Sequence, residues 1–376
     1  MPNFALVLSA LSRCHLWAGY ALSGGSSADN AYHAKKALSW LGRAEKSARG
    51  EGFAHSLHLA RGWLPGYPET SGYILPSIDL AAHRFGVAGM DAVIANTWSW
   101  LKRIQRADGS FGDLTGSPQV FDTGQILIGA NYMLRQDNPG AAIVAKRAGE
   151  WLRDQQSADG SFVRHAYNAR PHSYYSRVGA ALLDAGQLLN SAELVDSGAR
   201  NLEWTLKQQG SDGWFDHMSF SDHPPYSHTI VYTLEGLLAG YRLSGEKRML
   251  DAVVSCATAL GKSIAAHGGV VRSQYQVGFL PVDDQICVTG LCQWAALCFR
   301  LEHLGIDGFL GEAERSLAKA KSLQLVSPFS ALDGALPGSV PLSGRYMRFA
   351  LPNWGVKFFL DALIEAEGGE DLPPLI

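Results

Sequence analysis

Carboxylic acids, histidines and tyrosines that could perform acid–base chemistry lie in short polar segments that are far apart in the sequence. Glu69 follows Tyr67-Pro68, and Asp122 follows Phe121. Two carboxyl groups that flank one glycosidic bond can cleave it, one as proton donor and the other as base or nucleophile. Three further candidates for proton transfer are His172, Tyr174 and His228. The candidate catalytic residues are therefore Glu69, Asp122, His172, Tyr174 and His228.

The same segments are rich in arginine and aromatic residues, which is typical of a surface that binds sugars. Arginine forms paired hydrogen bonds with carboxylates, and aromatic rings offer flat faces with polar tips. Six arginines lie there, in a chain of net charge −3: Arg61, Arg170, Arg177, Arg272, Arg345 and Arg348. The pattern therefore predicts a preference for an anionic polysaccharide. The predicted substrate-binding residues are Trp63, Tyr67, Tyr73, Gln125, Arg177, Tyr226, Arg345, Tyr346, Asn353 and Trp354.

The residues leave the type of reaction open. The pair Glu69 and Asp122 favours hydrolysis. A lyase or a uronyl epimerase would instead neutralise a uronate with Arg177 or Arg345, and a histidine or tyrosine would move the C5 proton. A non-catalytic glycan-binding protein is a further alternative, since Asp122 could simply cap a helix and the aromatic residues could line a core.

A repeated turn motif determines how these segments must be placed. The pattern Gln-x-x-Asp-Gly-Ser/Trp-Phe occurs at residues 105–111 and 209–215, and again at 155–162 with one residue more when it is counted from Gln155. Degenerate copies lie at residues 50–53, 267–270 and 333–336. A period near fifty residues predicts an array of similar helical units, none of which can bury its apolar face alone.

Each repeat contains two helical patterns of different character. A helix with one polar face precedes the turn, and an apolar helix rich in small residues follows it. Six outer and six inner helices predict an all-α (α/α)6 toroid formed by residues 31–376 as one domain, with short β-like turns and an N-terminal helical segment of residues 1–30 packed on it. The inner helices are expected to start near Ile74, Thr123, Ser176, Thr229, Ile286 and Trp354, and their N-termini should surround one cavity.

Composition excludes several classes of protein. The chain has 376 residues, of which 47% are hydrophobic and 18% charged, so it can bury a large core. Its slightly acidic charge gives no sign of nucleic-acid binding. The sequence contains no apolar run of eighteen residues, so no membrane span is predicted. The odd set of five cysteines, and the charges that follow rather than precede the first apolar stretch, favour a reducing, cytoplasmic location. No cofactor and no metal site are predicted.

The Gln-x-x-Asp-Gly turns resemble the repeat of the terpene cyclase and protein prenyltransferase superfamily of α/α toroids over about residues 40–367. The resemblance implies the fold. A terpenoid cyclase is the corresponding alternative function, but Pro281-Val282-Asp283-Asp284 lacks the first aspartate of the Asp-x-Asp-Asp acid of class II cyclases. The spacing of Asp284 and Cys287 also differs from the zinc ligands of prenyltransferases. The many charges near the predicted cavity further disfavour an isoprenoid.

The toroid is also similar to that of many glycan-active enzymes, which include hydrolases, polysaccharide lyases and uronyl epimerases. The segment from Gly66 to Tyr73 resembles toroid proteins associated with bacterial exopolysaccharide production. These resemblances imply a carbohydrate-active enzyme, a glycoside hydrolase or polysaccharide lyase, that acts on an oligo- or polysaccharide in exopolysaccharide metabolism. The sequence leaves the sugar, its linkage and the oligomeric state open.

Overall fold

Twelve long helices alternate between an outer and an inner layer in the computed structural model, which describes residues 15–368 and 372–375. Numbered in chain order, the outer helices are α1 (Asn30–Ser47), α3 (Met90–Ile104), α5 (Ala141–Gln155), α7 (Ala192–Leu206), α9 (Lys247–Ala266) and α11 (Leu310–Leu323). The inner helices are α2 (Pro68–Arg84), α4 (Val120–Arg135), α6 (Ser176–Leu188), α8 (Ser227–Ser244), α10 (Val288–His303) and α12 (Asn353–Ala366).

The inner helices form a closed ring. Each packs against the next, from α2 through α4, α6, α8 and α10 to α12, and α12 packs back on α2. Helix α4 buries every residue from 120 to 133, whereas α5 buries only the face that carries Val144, Ala148 and Leu152. This difference follows from the sequence, because a helix without a polar face must be covered on all sides. The predicted (α/α)6 toroid is confirmed.

Where the turn motif carries its glutamine, that side chain joins the turn to the next outer helix. Gln105 Nε2 donates to the carbonyl oxygen of Gly109 at 3.0 Å and to that of Val144, in α5, at 3.1 Å. Gln209 makes the equivalent pair of bonds with its own turn and with α9. The side chain thus satisfies carbonyls of two elements at once, which explains why glutamine recurs at this position.

In the second copy of the motif, Gln156 takes this role and Gln155 does not. Gln156 Nε2 donates to the carbonyls of Gly160 at 3.1 Å and Ser197 at 2.9 Å. The count from Gln155 was therefore wrong by one residue, and the spacing from glutamine to Asp-Gly is the same in all three copies.

A glutamine side chain also joins the last repeat to the first by hydrogen bonds. Gln324 Nε2 donates to the carbonyl of His33, in α1, at 3.1 Å and to that of Gly334 at 3.2 Å. A salt bridge of 2.7 Å between Lys36 and Asp333 lies beside it. These bonds join the two ends of the chain's repeat array and complete the ring.

Glycine is required in the turn for two reasons. Gly109 has φ of 96°, a conformation that other residues adopt only with strain. A Cβ there would also lie 2.3 Å from the carbonyl oxygen of Arg147 in the next outer helix. Asp108 accepts hydrogen bonds from the backbone and side chain of Ser110, which holds the turn closed.

The two faces of the ring differ in their connections. Inner-to-outer links are short, such as residues 189–191 and 245–246, whereas outer-to-inner links are long, such as residues 48–67 and 324–352. The long links carry the strands. β1 (Ser56–His58) pairs antiparallel with β2 (Gly62–Trp63) and β7 (Ala350–Pro352). β3 (Tyr275–Gln276) and β4 (Leu280–Pro281) form a short hairpin, and β5 (Ile286–Cys287) pairs antiparallel with the distant β6 (Ser339–Val340).

The inner helices begin close to the predicted positions, with one informative exception. Helix α6 begins at Ser176 as expected, but α2 begins at Pro68, well before Ile74. Proline is favoured at the first helical position, and Glu69 in the first turn suits the partial positive charge of a helix N-terminus. The polar segment that the sequence suggested to be loop is therefore the first turn of the helix.

Residues 15–22 are helical and pack on the long link before α12. The ring of His15 lies 4.1 Å from that of Phe329, and Trp17 lies 5.3 Å from Phe349. The remainder of the N-terminal segment predicted to pack on the ring, residues 1–14, lies outside the described residues.

One helix in the described part of the chain, α9, is apolar and long enough to cross a membrane by those two criteria alone. In the ring it is an outer helix, and it buries Leu250, Val253 and Cys256 against its neighbours. Four cysteines in the described residues are buried and form no disulfide: Cys256, Cys287, Cys292 and Cys298. Cys14 lies outside the described residues.

Candidate functional site

A cavity of about 570 Å³ opens at the N-terminal ends of the inner helices. The first turns of α2, α4, α8 and α12 converge there, and the long links form the rest of the wall. Its lining residues are His55, Tyr67, Glu69, Thr70, Tyr73, Asp113, Gln119, Phe121, Asp122, Tyr167, Asn168, Tyr174, Tyr175, Phe220, His228, Tyr232, Tyr346, Met347 and Trp354.

Glu69 is positioned by the start of α2. Pro68 begins the helix, so Glu69 lies in its first turn, where the hydroxyl of Tyr67 donates to Oε2. Burial raises the pKa of Glu69 to about 7, although the Tyr67 hydrogen bond and the charge of Arg177 act in the opposite direction. A carboxyl group with this pKa can both hold and release a proton near neutral pH.

Asp122 lies in the first turn of α4 and is buried, with 6% of its surface exposed. Its Oδ2 has no hydrogen-bond partner, and the residue that caps α4 is Gln119, so Asp122 is not the helix cap. Burial raises the pKa of Asp122 well above its usual value, and the charges of Glu69 and Asp113 raise it further. An uncompensated buried carboxyl group favours its neutral form.

Glu69 and Asp122 therefore behave as one titrating pair. The charge of Glu69 disfavours ionisation of Asp122, so the pair retains one proton when Glu69 is ionised. The retained proton resides on Asp122, because only Glu69 has a hydroxyl donor and a nearby cation to stabilise its charge. The geometry thus supplies one carboxylic acid and one carboxylate in the same cavity.

Aromatic rings form much of the wall. Phe121 stacks on Tyr175 at 5.3 Å between ring centroids and meets Tyr174 edge-on at 5.2 Å. On the opposite side, Tyr67 and Trp354 lie 6.3 Å apart. Such rings present flat apolar faces and, in tyrosine and tryptophan, a polar tip that can hydrogen-bond to hydroxyl groups.

Two histidines line the cavity, and both are uncharged. His228 is the second residue of α8, and its Nδ1 lies 2.6 Å from Oε1 of Gln293. Burial lowers the pKa of His228 to about 3 and that of His55 to about 4. They are weak bases, since a group that binds protons only at such acidic pH removes one poorly at neutral pH.

His172 lies behind the wall. It packs 4.7 Å from the ring of Tyr174, and its two ring nitrogens lie 3.0 Å from the carbonyl oxygen of Ser219 and 2.8 Å from that of Tyr167. The expectation that His172 faces the cavity is wrong, because both nitrogens are used by the backbone. Its position supports Tyr174, which does line the cavity.

Arg177 is also behind the wall, contrary to expectation. It is fully buried, its Nη1 lies 2.5 Å from Oε2 of Glu235, and its Nε donates to Gln125 at 2.9 Å. The guanidinium carbon lies 4.6 Å from the centroid of the Tyr232 ring, which separates it from the cavity. Arg177 and Gln125 are therefore part of the floor and not contact residues for a ligand.

A second buried ion pair lies near the same aromatic rings as Arg177. Lys357 Nζ lies 2.6 Å from Oδ2 of Asp361, whose Oδ1 accepts a hydrogen bond from Ser77 at 2.6 Å. Burial lowers the pKa of Lys357 to about 8. The ammonium group lies 5.2 Å from the centroid of Tyr73, a cavity residue. The cavity therefore has a closed floor of tyrosines backed by paired charges.

The other five arginines of these segments are also absent from the cavity lining. Arg170 pairs with Asp222, Arg272 pairs with Asp284 at 3.4 Å, and Arg345 is exposed. Within the part of the chain that the structure describes, no lysine or arginine lines the cavity. The predicted arginine-rich rim is therefore wrong, because the sequence shows the charges but not their partners.

Three further predicted contact residues lie outside the cavity lining. Trp63 packs on Trp40 at 5.2 Å, and Tyr226 packs on Tyr346 at 5.1 Å. Asn353 is buried, where its Nδ2 donates to the hydroxyl of Thr70 at 2.9 Å and to a backbone carbonyl. Of the predicted site residues, the structure brings these to the cavity: Tyr67, Glu69, Tyr73, Asp122, Tyr174, His228, Tyr346 and Trp354.

The sequence did not single out several lining residues. His55 and Asp113 belong to the long links, where nothing in their spacing distinguishes them from other polar residues. Tyr232 lies one helical turn beyond His228, so helical spacing from a candidate could have found it. Among the described residues, no cluster of histidine, cysteine and carboxylate side chains is suited to hold a metal ion.

No protein-family model matches the chain, and no curated protein matches it in sequence. Solved structures match it throughout most of its length. An unsaturated glucuronyl hydrolase from Bacillus sp. GL1 has a TM-score of 0.70 and 15% identity, covering 89% of this chain and 96% of that one. A cellobiose 2-epimerase from Bacillus thermoamylovorans gives 0.66 and 10% (86% and 95% covered), and a D-mannose isomerase gives 0.67 and 11% (89% and 96% covered). At such identities the likeness establishes the shared α/α-toroid fold.

Proposed function

We propose that the protein is a carbohydrate-active enzyme that hydrolyses a glycosidic bond, with Asp122 as general acid and Glu69 as the carboxylate partner. The observation that carries the proposal is the pair itself. Two carboxyl groups, the half-buried Glu69 and the buried Asp122, lie in one aromatic cavity, and neither forms a salt bridge with a described residue. Burial raises the pKa of both, and the charge of Glu69 raises that of Asp122 further. This is the division into acid and base that glycoside hydrolysis requires.

The cavity favours a sugar over an isoprenoid. Its volume lies within the range of about 300–1,000 Å³ that is common for small-molecule sites. Its rings carry hydroxyl groups, and carboxyl, amide and imidazole groups lie between them, as at Glu69, Asn168 and His228. A hydrocarbon chain would leave these polar groups without partners, whereas sugar hydroxyls can satisfy them. The solved structures with the same fold include enzymes that act on saccharides, which adds support.

The reaction proceeds through two proton transfers. Asp122 gives its proton to the glycosidic oxygen while the bond between that oxygen and the anomeric carbon breaks. Glu69 accepts a proton from a water molecule as the water oxygen attacks the same carbon. The products are a sugar with a new anomeric hydroxyl and the released alcohol, and one proton then passes from Glu69 back to Asp122 through solvent. Tyr67 keeps its proton, because burial raises its pKa well above the usual value, and orients Glu69 throughout.

Elimination has less support than hydrolysis. The arginines that would neutralise a uronate, Arg177 and Arg345, do not line the cavity, and the lining histidines are weak bases. Epimerisation is the second candidate, because a carboxylate with a pKa of about 7, that of Glu69, is well suited to abstract a proton from carbon. The cellobiose epimerase with the same fold also favours this candidate.

Product analysis tests the proposal. Neutral and acidic oligosaccharides are incubated with the protein, and reducing ends, product masses and near-ultraviolet absorbance are followed. Hydrolysis shortens the chain with addition of water, elimination produces an absorbing unsaturated end, and epimerisation leaves the mass unchanged in water but incorporates deuterium in heavy water.

Matched variants separate the site from a contaminating activity. Glu69→Gln and Asp122→Asn should abolish chain shortening, whereas Glu150→Gln, on the outer surface of α5, should leave it unchanged. Chain shortening that survives both cavity substitutions would refute the assignment.

A further inference from the structure

We infer that the cavity accepts an uncharged sugar unit and rejects one that carries a carboxylate. The inference rests on the proposed function, whose substrate class it specifies. It is the reverse of what the arginine content of the sequence suggests, and it follows from which charged groups reach the cavity and which are covered.

The charges that reach the cavity are negative. The Glu69–Asp122 pair carries one negative charge once Glu69 has ionised. Asp113 contributes another: burial disfavours its charge, but hydrogen bonds from Thr115, Ser117 and Gln119 outweigh burial and lower its pKa. Both lining histidines are uncharged. A uronate would add a third negative charge to this space.

Among the described residues, no lysine or arginine lines the cavity to compensate for that charge. The nearest, Arg177, is fully buried, pairs with Glu235 and lies behind the Tyr232 ring. Lys357 is likewise fully buried and pairs with Asp361. A ligand carboxylate would therefore lose its water without gaining a partner, which is unfavourable for a charged group. Its charge would also favour protonation of Glu69 and so inactivate the proposed base.

Neutral hydroxyl groups, in contrast, fit the donors and acceptors on the wall. Asp122 Oδ2 is buried without a partner, and the lining includes Thr70, Gln119 and Asn168. A primary alcohol at C6 of a hexose can donate to a carboxylate and accept from an amide, whereas a carboxylate at C6 can only accept. The distinction between the two ligands therefore lies at a single carbon.

A binding comparison at pH 8, where Glu69 is largely ionised, tests the inference. The probes are methyl glycosides of glucose, galactose and mannose, the corresponding uronates, and the corresponding uronamides, which have nearly the shape of the uronate without its charge. Calorimetry should show at least one neutral glycoside that binds, a uronamide within about threefold of it, and a uronate at least about tenfold weaker, which corresponds to one pKa unit of unfavourable interaction.

Substitution at Glu69 supplies the charge-specific control. Glu69→Gln should tighten uronate binding and narrow the gap between uronate and uronamide, whereas Glu150→Gln should leave the gap unchanged. Uronate binding as tight as that of the uronamide, a gap that persists in Glu69→Gln, or no binding by any neutral glycoside would overturn the inference.

The proposed reaction can fail separately. If the p-nitrophenyl derivative of a neutral glycoside binds but releases no nitrophenol or sugar, hydrolysis is wrong while the charge selection stands. If the uronate is the better ligand and its aryl derivative is cleaved, the reaction stands and the charge selection is wrong.

Discussion

The inner helices carry two sets of carboxyl groups that differ in whether a cation is bound to them. Glu235 and Asp361 lie below the cavity floor, and each is paired with a cation, Arg177 at 2.5 Å and Lys357 at 2.6 Å. Glu69 and Asp122 lie one layer above them, and neither is paired. The same types of side chain, on four different inner helices, therefore differ in whether a cation accompanies them.

The comparison shows that carboxyl groups of one fold can serve either its stability or its chemistry, depending on whether a cation is bound to them. A paired buried carboxylate stays charged and becomes part of the structure, whereas an unpaired one has a raised pKa and is available for proton transfer. Arg177 still acts on Glu69 from behind the wall, but its salt bridge is made with Glu235. Substitutions in the two layers should accordingly have opposite consequences.

The largest expected effect is loss of activity in the upper layer. Glu69→Gln and Asp122→Asn should each reduce kcat by about 10²–10⁴-fold, the usual contribution of a positioned acid or base. Initial rates on the substrate identified by product analysis measure this, with circular dichroism to verify that the fold is intact. A reduction of less than tenfold in both would remove the functional distinction between the layers.

In the lower layer, the expected effect is on stability. Glu235→Gln leaves Arg177 buried without its carboxylate, and breaking a buried pair in this way costs about 3–5 kcal/mol. Urea unfolding measures the loss. As control, the double substitution Arg177→Met with Glu235→Leu removes both charges and should recover much of that free energy. Equal stability of Glu235→Gln and the wild type would contradict a structural role for the pair.

Glu69→Gln should change stability with the opposite sign. The pKa of Glu69 is raised on folding, so its contribution to stability is complete below its unfolded pKa and is lost as pH rises through about 7. At pH 8 the variant should be more stable than the wild type by on the order of 1 kcal/mol, with the difference absent at pH 4. Unfolding curves at the two pH values provide the test, and a variant that is less stable at pH 8 would disprove it.

The smallest predicted effect concerns Tyr67. Activity should rise as pH passes through about 7 from below, when Glu69 ionises, and fall at higher pH, when Asp122 loses its proton. Tyr67→Phe removes a hydrogen bond that lowers the pKa of Glu69, so the acid limb should move to higher pH by less than about one unit. The pH profile of kcat/KM measures the shift. Movement to lower pH would mean that the hydroxyl does not stabilise the charged form of Glu69.

Much of the architecture could be predicted from the sequence, because its signals are local. The Asp-Gly turns and the alternation of amphipathic and apolar helices lie within single repeats and indicate six helix pairs. The starts of the inner helices were harder to predict. The first turn of α2, with Glu69 and Thr70, has the composition of a loop, and only Pro68 indicated a helix start.

The site was predictable only in part, because ion pairing is not local. Arg177 and Glu235 are separated by 58 positions, and nothing near Arg177 in the sequence shows that it is paired. A signal was nevertheless present, since Glu235, Lys357 and Asp361 are charged residues in otherwise apolar inner helices. Charges in such positions must be paired, and they therefore indicate where cations such as Arg177 are held.

Closure of the ring has a consequence for the order in which the chain can be assembled. Gln324 and His33 are 291 positions apart, yet their bond is equivalent to those between consecutive repeats. Four interfaces between repeats are therefore joined by the same kind of bond, and the chain termini occupy one of several possible positions in the ring. A gene rearranged to begin at the short link of residues 245–246, with the original ends joined, would encode the same set of contacts. The contacts of the ring therefore do not require any particular repeat to come first in the chain.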